Sequence, residues 1–259
     1  MRPDREAVPG LRDASPDALR GHDHRMMRSS SSRSTPLANA REACLDAWAL
    51  VVPVTCAGCG APDRGLCDDC RRRLVRPAAL DDDALLVRWN GADGTPGLAA
   101  RRYDGFVGAI LLAYKEDART GLVRPLAAAL EPAFRSAVLE ASRAMGGVSP
   151  EIATIPARRR AARDRGFHPV EQLVRRLGAR PSRPLRWARE PADQRDFGRA
   201  ERLENLAGAL VAPRRLDGRR FLLVEDVVTT GATVGEAVRA MHDGGGLVVG
   251  VVALARVGP

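Results

Sequence analysis

The residues best suited to chemistry are two adjacent acids, Glu225 and Asp226, in the stretch FLLVEDVVTTGAT. The apolar run at 221–224 predicts a buried parallel strand, and residues 233–242 have the pattern of a helix that follows it. Two carboxylates that leave the end of a strand together can accept hydrogen bonds from neighbouring hydroxyls. This arrangement suits the vicinal diol of a ribose.

A string of small and hydroxyl-bearing residues follows the acids, namely Thr229, Thr230, Gly231, Ala232 and Thr233. Backbone amides, hydroxyls and a glycine at the start of a helix can bind a phosphate, because the helix dipole favours negative charge there. Acids and loop together predict a ribose 5-phosphate site. The alternative is a strand-to-helix turn capped by threonine, with the acids as ordinary charges of a first helical turn. The chain lacks the P-loop and dinucleotide-binding glycine motifs.

Four of the five cysteines form the pattern CAGCGAPDRGLCDDC, and they are Cys56, Cys59, Cys67 and Cys70. Each C-x2-C pair can place two thiolates on one metal ion, and the short loop between the pairs can complete a tetrahedron, the geometry that zinc prefers. Two disulfides are the alternative, which a reducing compartment disfavours. Four thiolates leave no position for a catalytic water, so the pattern predicts a structural Zn2+. Cys44 is interpreted as a small buried residue of a helix.

Predicted strands and helices alternate along the second half of the chain. Helices are predicted at 39–52, at 104–115 and, as one or two segments with Pro125 and Pro132 near their starts, at 122–145. Strands are predicted at 85–89, 97–103, 151–155 and 247–254. This alternation favours an α/β fold with a parallel, doubly wound sheet flanked by helices, in which ligands bind beyond the carboxyl ends of the strands.

Length and composition bound the organisation of the chain. With 259 residues and 45% apolar content, it can form one substantial domain and a small appendage. We predict a disordered tail at 1–40, a helix and four-cysteine module at 41–80, and the main domain at 81–259. No apolar stretch approaches the roughly 18 residues of a membrane span. The N-terminus lacks the apolar core of a signal peptide, which predicts a cytoplasmic protein.

The net charge of +9 suits a polyanionic partner such as nucleic acid or a phosphorylated small molecule. Nearly all of the positive charge is arginine, because Lys115 is the only lysine. Scattered arginines also fit an ordinary solvated surface. An aromatic content of 4% leaves few platforms on which the bases of single-stranded DNA could stack.

Several segments resemble known families. LLVEDVVTTGAT resembles the phosphoribosyl pyrophosphate (PRPP) signature of type I phosphoribosyltransferases. From about Cys56 to Arg256 the chain resembles the ComF (competence protein F) family, with the four-cysteine module, RRYDGFVGAILLAYKED, IPARRRAARDRGFHPVEQL and QRDFGRAERLENLAGAL in the family's order. It departs from the family at His168, where Asn is usual, and at Glu225, where Asp is common.

The resemblance implies a type I phosphoribosyltransferase-like fold and transfer of a phosphoribosyl group from PRPP to a nitrogen nucleophile, with release of pyrophosphate. It makes Glu225 and Asp226 the ribose-hydroxyl ligands and 229–233 the 5'-phosphate loop. It places the diphosphate at the strand end 155–156 and at Arg158, Arg159 and Arg160, whose guanidinium groups would neutralise it. Mg2+ would bridge diphosphate and ribose. The polar segment 194–205 is a candidate lid.

The same resemblance implies a second class of function. ComF proteins are associated with DNA uptake in natural transformation, with a competence helicase and with incoming single-stranded DNA. The site would then sense a nucleotide without catalysis, and the zinc module with Arg71–Arg73 would contact DNA or a partner. The acceptor base is not indicated, and a hood that selects it would have to come from 85–145 or the zinc module. The roles of His168 and Lys115 are left open.

Overall fold

A computed structural model describes residues 54–62, 64–75, 86–91, 93–190 and 205–258. The predicted tail at 1–40, the predicted helix at 39–52 and positions 194–204 of the candidate lid lie outside this part of the chain. Within it, five strands form the main sheet. Their spatial order is β1 (Val87–Asn90), β2 (Pro96–Arg102), β7 (Leu247–Arg256), β6 (Arg220–Val228) and β3 (Glu151–Thr154). Two short strands, β4 (Arg186–Trp187) and β5 (Leu210–Val211), pair with each other.

The main sheet is mostly parallel. β2 pairs with β7, β7 with β6 and β6 with β3, all in parallel, so the predicted α/β sheet is confirmed. The exception is β1, which pairs antiparallel with β2. Only residues 91–95 connect these two strands, and so short a connection forces a hairpin, since a parallel pair needs a crossover of a dozen or more residues.

Helices cover both faces of the sheet. One face carries α2 (Gly105–Lys115), α3 (Val123–Ala144) and α5 (Pro169–Arg176), and the other carries α6 (Ala232–Asp243). The central strand β6 is buried on both sides, with Leu222 and Val224 in one hydrophobic cluster and Phe221 and Leu223 in the other. The shorter helices α1 (Asp68–Val75) and α4 (Arg159–Arg165) lie near the cysteines and near the carboxyl edge of the sheet, respectively.

Helix α2 has clear start and stop signals. The Asp104 side chain accepts a hydrogen bond from the Val107 amide at 2.8 Å and caps the helix. Val107, Ile110 and Tyr114 recur at helical spacing and are buried. Tyr114 is fully buried and its hydroxyl donates to the Pro169 carbonyl oxygen at 3.1 Å, which joins α2 to α5. The last residue of α2, Lys115, is therefore held at the carboxyl edge of the sheet.

Helix α3 is one continuous helix, and the prediction that Pro132 lies near a helix start is wrong. Pro132 stands inside the helix, whereas Pro125 is close to its beginning as predicted. Buried residues lie on both sides of Pro132, including Leu130 and Ala133. Their burial outweighs the roughly 3 kcal/mol that an internal proline costs. No helix in the described part of the chain has the length and apolar character needed to cross a bilayer.

The two central strands are longer than the sequence predicts. β6 continues past the apolar run at 221–224 to Val228, and β7 extends to Arg256, with Val228 and Arg256 paired in register. The prediction that Glu225 and Asp226 leave the strand is therefore wrong, since both belong to β6. The polar half of β6 is ordered by pairing with β7, which is distant in sequence and cannot be detected from local hydrophobicity.

The four-cysteine module packs on the α2 and α3 face. Cys56, Cys70 and Leu74 belong to the same hydrophobic cluster as the buried residues of those helices. Arg101 of β2 donates from Nε to the Leu74 carbonyl oxygen at 2.8 Å and from Nη2 to that of Val75 at 2.6 Å. These bonds satisfy carbonyl groups at the end of α1, where a cation also complements the helix dipole.

Candidate functional site

Glu225 and Asp226 line one cleft at the carboxyl edge of the sheet, with a volume of about 310 Å³. β3 ends at Thr154, which pairs with Val224, so the next residues of β6 have no strand beside them on that edge. Side chains alternate along a strand, which places Asp226 on the face of Val224 and α2, and Glu225 on the face of Leu223. The two carboxyl groups therefore reach the open edge from opposite faces of the sheet.

Lys115 forms an ion pair with Asp226 inside this cleft. Its Nζ lies 2.6 Å from Asp226 Oδ2, and the side chains of Lys115 and Asp226 are 25% and 8% exposed. Burial alone would lower the pKa of Lys115, but the charge of Asp226 and the hydrogen bond to it more than offset this, and the pKa is raised. The lysine is therefore a permanent cation next to the acids. The sequence analysis left the role of Lys115 open. The signal in the sequence that could have pointed to it is that Lys115 is the only lysine.

Glu225 has an unusual protonation state. Burial and the negative charge of Asp226 raise its pKa to about 8, while the positive charge of Lys115 opposes the shift. One of its oxygens, Oε1, accepts a hydrogen bond from the Asp226 amide at 2.9 Å. At neutral pH Glu225 is mostly protonated and can donate as well as accept a hydrogen bond.

Only one of the three predicted diphosphate arginines lines the cleft. Arg158, just before α4, is a lining residue together with Arg165 at the end of that helix. Arg159 and Arg160 are exposed and are not among the lining residues. Arg160 instead lies 3.8 Å from Asp164. The structure thus brings Arg158 together with the acids and leaves Arg159 and Arg160 outside the cleft.

The turn that leads from β3 into α4 is held by two side chains that the sequence analysis did not single out. The Trp187 indole Nε1 donates to the Pro156 carbonyl oxygen at 2.8 Å. Glu190 Oε1 accepts from the Arg159 amide at 2.7 Å. Both residues come from the segment around β4, where no motif marks them, and Trp187 also lines the cleft.

The predicted phosphate loop stands between two cavities. Gly231 has a φ of +79° and caps the N-terminus of α6, while Thr230 Oγ1 accepts from the Ala232 amide at 3.3 Å. Thr233 lines the cleft that contains the acids. Thr230 and Gly231 line a second cavity of about 610 Å³ along the side of α6. Ala232 is buried and Thr229 is exposed.

His168 lines the cleft as the residue before α5, and its side chain makes no capping bond to the helix. Pro169 follows as the first helical residue, a position that tolerates proline because no amide donor is needed there. Glu171, one turn into α5, is buried and pairs with Arg175 at 2.7 Å and Arg183 at 2.5 Å. The Arg175 pair lies within α5, whereas the Arg183 pair ties the start of α5 to the segment that leads into β4.

The four cysteines have the arrangement of a metal site. Their sulfur atoms all lie within 4.8 Å of one another, and none is in a disulfide. The Cys59 and Cys67 sulfurs are 3.8 Å apart. Zn–S bonds of about 2.3 Å place the sulfurs of a tetrahedron about 3.8 Å apart, so this set fits a zinc ion. The cluster can bind a metal such as zinc, and the disulfide alternative is not seen here.

The thiols of this cluster also differ in acidity. Burial raises the pKa of the Cys56 thiol, but backbone N–H groups of Cys67, Cys59 and Gly58 outweigh this effect and lower it to about 6. Burial and the neighbouring thiols raise the pKa of Cys70. Several thiolates so close together repel one another, and a bound cation would remove that repulsion.

A family model matches part of the chain. Residues 164–258 match the phosphoribosyl transferase domain. The match identifies such a domain over this range, which contains the acid pair and the loop at 229–233. It begins after Arg158–Arg160 and does not reach Lys115 or the four cysteines. No curated protein matches the sequence.

Two solved structures are similar to the chain. An adenine phosphoribosyltransferase matches with 14% identity and a TM-score of 0.30, over 66% of this chain and 85% of that chain. The UMP synthase of Leishmania donovani matches with 15% identity and a TM-score of 0.30, over 73% of this chain. The chain spans only 31% of the length of the UMP synthase.

Proposed function

We propose that the protein binds PRPP together with Mg2+ and transfers its phosphoribosyl group to a nitrogen nucleophile, releasing pyrophosphate. The observation that carries this proposal is that Glu225, Asp226, Thr233 and Arg158 line one cleft. The phosphoribosyl transferase domain matched over 164–258 supports the same class of reaction.

Each part of PRPP has a matching chemical group in the proposed site. The ribose hydroxyls would exchange hydrogen bonds with Glu225 and Asp226. The 5'-phosphate would bind at the N-terminus of α6, where Gly231 and Thr233 lie, because amides and dipole there favour an anion. The diphosphate would bind near Arg158, whose guanidinium can contact two phosphate oxygens at once.

Mg2+ fits this site only as an ion held largely by the substrate. Among the described residues, the one group of three or more metal-ligating side chains is the cysteine cluster, so the acids alone do not build a cage. Mg2+ is commonly bound by one or two carboxylates plus substrate phosphates. Asp226 would be its carboxylate neighbour, together with Glu225 once the cation has displaced the proton of Glu225. The bound ion would neutralise charge on the leaving diphosphate.

The protein's own contribution to the reaction is positioning and charge stabilisation. Displacement at the anomeric carbon develops positive charge on the ribose and negative charge on the departing diphosphate. The carboxylate of Asp226 would stabilise the first, with Glu225 contributing charge only once it has lost its proton, and Arg158 would stabilise the second. No side chain in this scheme forms a covalent bond to the substrate.

We infer that the protein is a ComF-like protein with a structural Zn2+ in the four-cysteine module. We also infer that it is located in the cytoplasm and takes part in DNA uptake. A reducing compartment keeps the four thiols available for metal. Segment 194–205 is proposed as the lid, and cleavage of this segment by protease should slow when PRPP and Mg2+ are added.

The alternative is a nucleotide sensor that contacts single-stranded DNA or a competence helicase. Two of the three arginines proposed for that contact have local partners, since Arg72 pairs with Asp69, and Arg73 lies 4.0 Å above the Phe106 ring. Binding to single strands that weakens with salt and is lost when Arg71–Arg73 are neutralised would favour this alternative. PRPP binding without pyrophosphate release would also favour it.

The test is a calorimetric titration with PRPP and Mg2+ of wild type and of a Glu225→Gln/Asp226→Asn variant. We expect wild type to bind and the variant to lose at least tenfold in affinity, because amides replace neither the charge of Asp226 nor the capacity of both side chains to bind Mg2+. Isosteric changes are preferable to alanine because Asp226 is buried beside Lys115.

Glu131→Gln is the matched control, since this carboxylate is exposed on α3, outside the residues that line the cleft. It should bind PRPP like wild type. Wild-type protein that contains its metal and does not bind PRPP would contradict the proposal. If the double variant bound as tightly as wild type, the ribose phosphate site would lie elsewhere.

A further inference from the structure

Lys115 has hydrogen-bonding capacity that its ion pair does not use. An ammonium group has three N–H donors. Within the described part of the chain, the one contact seen for this ammonium is with Asp226 Oδ2 at 2.6 Å. The side chain is a quarter exposed and lines the cleft. Two donors are therefore available to a bound ligand.

The position of the ammonium is well defined. The preceding residue, Tyr114, is fully buried and bonded to Pro169 and to Gln172 Oε1, each at 3.1 Å. The following residue, Glu116, pairs with Arg165 of α4. The end of α2 is thus tied to both helices that border the cleft. A lysine fixed in this way loses little rotamer entropy when a ligand binds.

The charges around the ammonium point to an anionic ligand. Lys115, Arg158 and Arg165 line the same cleft, and Arg165 is close enough for its charge to lower the pKa of Lys115. Three acids also line the cleft: Glu171 is paired with Arg175 and Arg183, the pKa of Glu225 is raised to about 8, and Asp226 is ion-paired with Lys115. Without its partner, Asp226 would repel a phosphate group placed beside it. A cation bonded to Asp226 removes most of this repulsion and can bind the phosphate oxygen itself.

We propose that Lys115 is a substrate-binding residue of this cleft: Asp226 orients the ammonium, and its remaining donors bind an oxygen of the diphosphate of PRPP. This inference rests on the proposed function. It extends the diphosphate site from Arg158, which precedes α4, to the end of α2, outside the range of the phosphoribosyl transferase match.

The test compares two ligands in calorimetric titrations of wild type and Lys115→Met. PRPP with Mg2+ has the diphosphate, and ribose 5-phosphate lacks it. We expect Lys115→Met to weaken PRPP binding by about tenfold or more and ribose 5-phosphate binding by less than about threefold, because only PRPP loses a charge-assisted bond. Equal losses for both ligands, or no loss for either, would overturn the inference.

A second background separates direct binding from an effect through Asp226. Lys115→Met leaves a buried carboxylate without its partner, so folding is checked by unfolding temperature and bound metal. Asp226→Asn protein has no carboxylate that could orient the lysine or be left unpaired when the lysine is removed. In this protein, Lys115→Met should still lower the affinity for PRPP several-fold. No further loss in that background would show that the lysine acts only through Asp226 and would overturn direct binding.

Failure of the proposed function gives a different result from failure of this inference. If wild type binds neither PRPP nor ribose 5-phosphate, both proposals fall together. If wild type binds both ligands and Lys115→Met binds PRPP normally, the proposed function stands and the inference about Lys115 falls.

Discussion

Glu225 makes stability depend on pH in a direction that is unusual for a carboxyl group. Its pKa is raised from 4.5 to about 8 by burial and by the charge of Asp226, so the folded protein retains a proton that the unfolded chain releases. Between these two values the folded state binds more protons, and stability must fall as pH rises. The stabilisation that comes from the proton on Glu225 is fully present below pH 4.5 and is lost as the pH rises through about 8.

We therefore expect the unfolding temperature of metal-loaded protein to fall between pH 6 and pH 9, and the fall to be smaller in Glu225→Gln. Glutamine is neutral at every pH and preserves the side-chain shape. The Lys115 ion pair does not disturb this window, because the neighbouring charge of Asp226 raises the pKa of Lys115 further above this pH range. The same pH slope in variant and wild type would show that Glu225 is ionised at neutral pH.

Two glycines of the α6 region should respond oppositely to the same substitution. Gly231 has a φ of +79°, which an L-residue adopts at a cost of about 1–2 kcal/mol. Gly235 lies inside α6, is exposed and has no atom near the position of an added Cβ. Alanine there should stabilise by about 0.5–1 kcal/mol through helix propensity.

The measurement is the free energy of unfolding in denaturant for Gly231→Ala and Gly235→Ala, together with affinity for ribose 5-phosphate. We expect Gly231→Ala to lower both stability and affinity, because the loop can no longer present its amides. Gly235→Ala should raise stability and leave affinity unchanged. A Gly231→Ala protein with wild-type values for both would rule out this loop as the phosphate site.

At the scale of elements, the cleft exists because neighbouring strands differ in length. β6 reaches Val228, whereas its neighbour β3 stops at Thr154, opposite Val224. The chain then turns away through Pro156 into α4, which adds Arg158 and Arg165 to the rim of the cleft. A longer β3 would pair with the edge of β6 beside Glu225 and Asp226 and would cover the side of β6 on which the cleft lies.

The turn between β3 and α4 gives a prediction at this scale. Trp187→Phe removes the donor to the Pro156 carbonyl oxygen, and we expect this turn to loosen. Affinity for pyrophosphate should fall by about tenfold, because a small displacement of positioning groups is enough for such a loss. Inhibition by added pyrophosphate, or direct calorimetry, measures this effect.

Trp89→Phe is the control, because Trp89 lines the other cavity, on the α6 side. It changes the same residue type away from the turn. Both variants lose part of a large side chain, so their unfolding temperatures are compared as well. If Trp187→Phe and Trp89→Phe bound pyrophosphate equally well, the turn would not be a part of the diphosphate site.

At the scale of the whole molecule, the cysteine module and the sheet share one hydrophobic cluster. Cys56, Cys70 and Leu74 pack with α2 and α3, and Gly58 has no room for a side chain, since an added Cβ would lie 2.7 Å from Phe106 Cε2. Loss of the metal should therefore lower the stability of the sheet and its helices as well as that of the module. α2 is in contact with the module at Phe106, and its last residue, Lys115, lines the cleft.

We expect purified protein to contain one zinc ion per chain, and a chelator to lower the unfolding temperature of the whole described domain in a single transition. Cys59→Ser should reduce zinc content and have the same effect on stability, because Cys59 is exposed and contributes mainly its thiolate. Metal analysis and thermal unfolding are the measurements. Cys44→Ser, outside the four-cysteine pattern, is the control and should keep its zinc.

The zinc prediction would be contradicted by sub-stoichiometric metal together with normal folding after all four cysteines become Ser. Cooperative unfolding of the sheet that is unaffected by a chelator would show that the module and the sheet are energetically independent, despite their shared cluster. Both results can be obtained without any knowledge of the substrate.

Local patterns in the sequence were sufficient to predict much of the fold and several residues of the candidate site. The spacing of the four cysteines predicted their clustering, because two C-x2-C pairs with a short loop between them have few ways to fold. A helix was predicted at 104–115, and the structure has α2 at Gly105–Lys115; the alternation of strands and helices predicted a parallel sheet. Glu225, Asp226 and the loop at 229–233 stood out for the same reason, since their signals are contiguous in the chain.

Only the tertiary structure decided what surrounds those residues. Pairing with β7 extends β6 through both acids, and Lys115 meets Asp226 from a helix more than a hundred positions earlier in the chain. Trp187 and Glu190 hold the turn after β3 without any motif of their own. Such contacts depend on which strand ends first and which helix packs on which face. These outcomes are set by burial over the whole molecule, and no local window of sequence contains them.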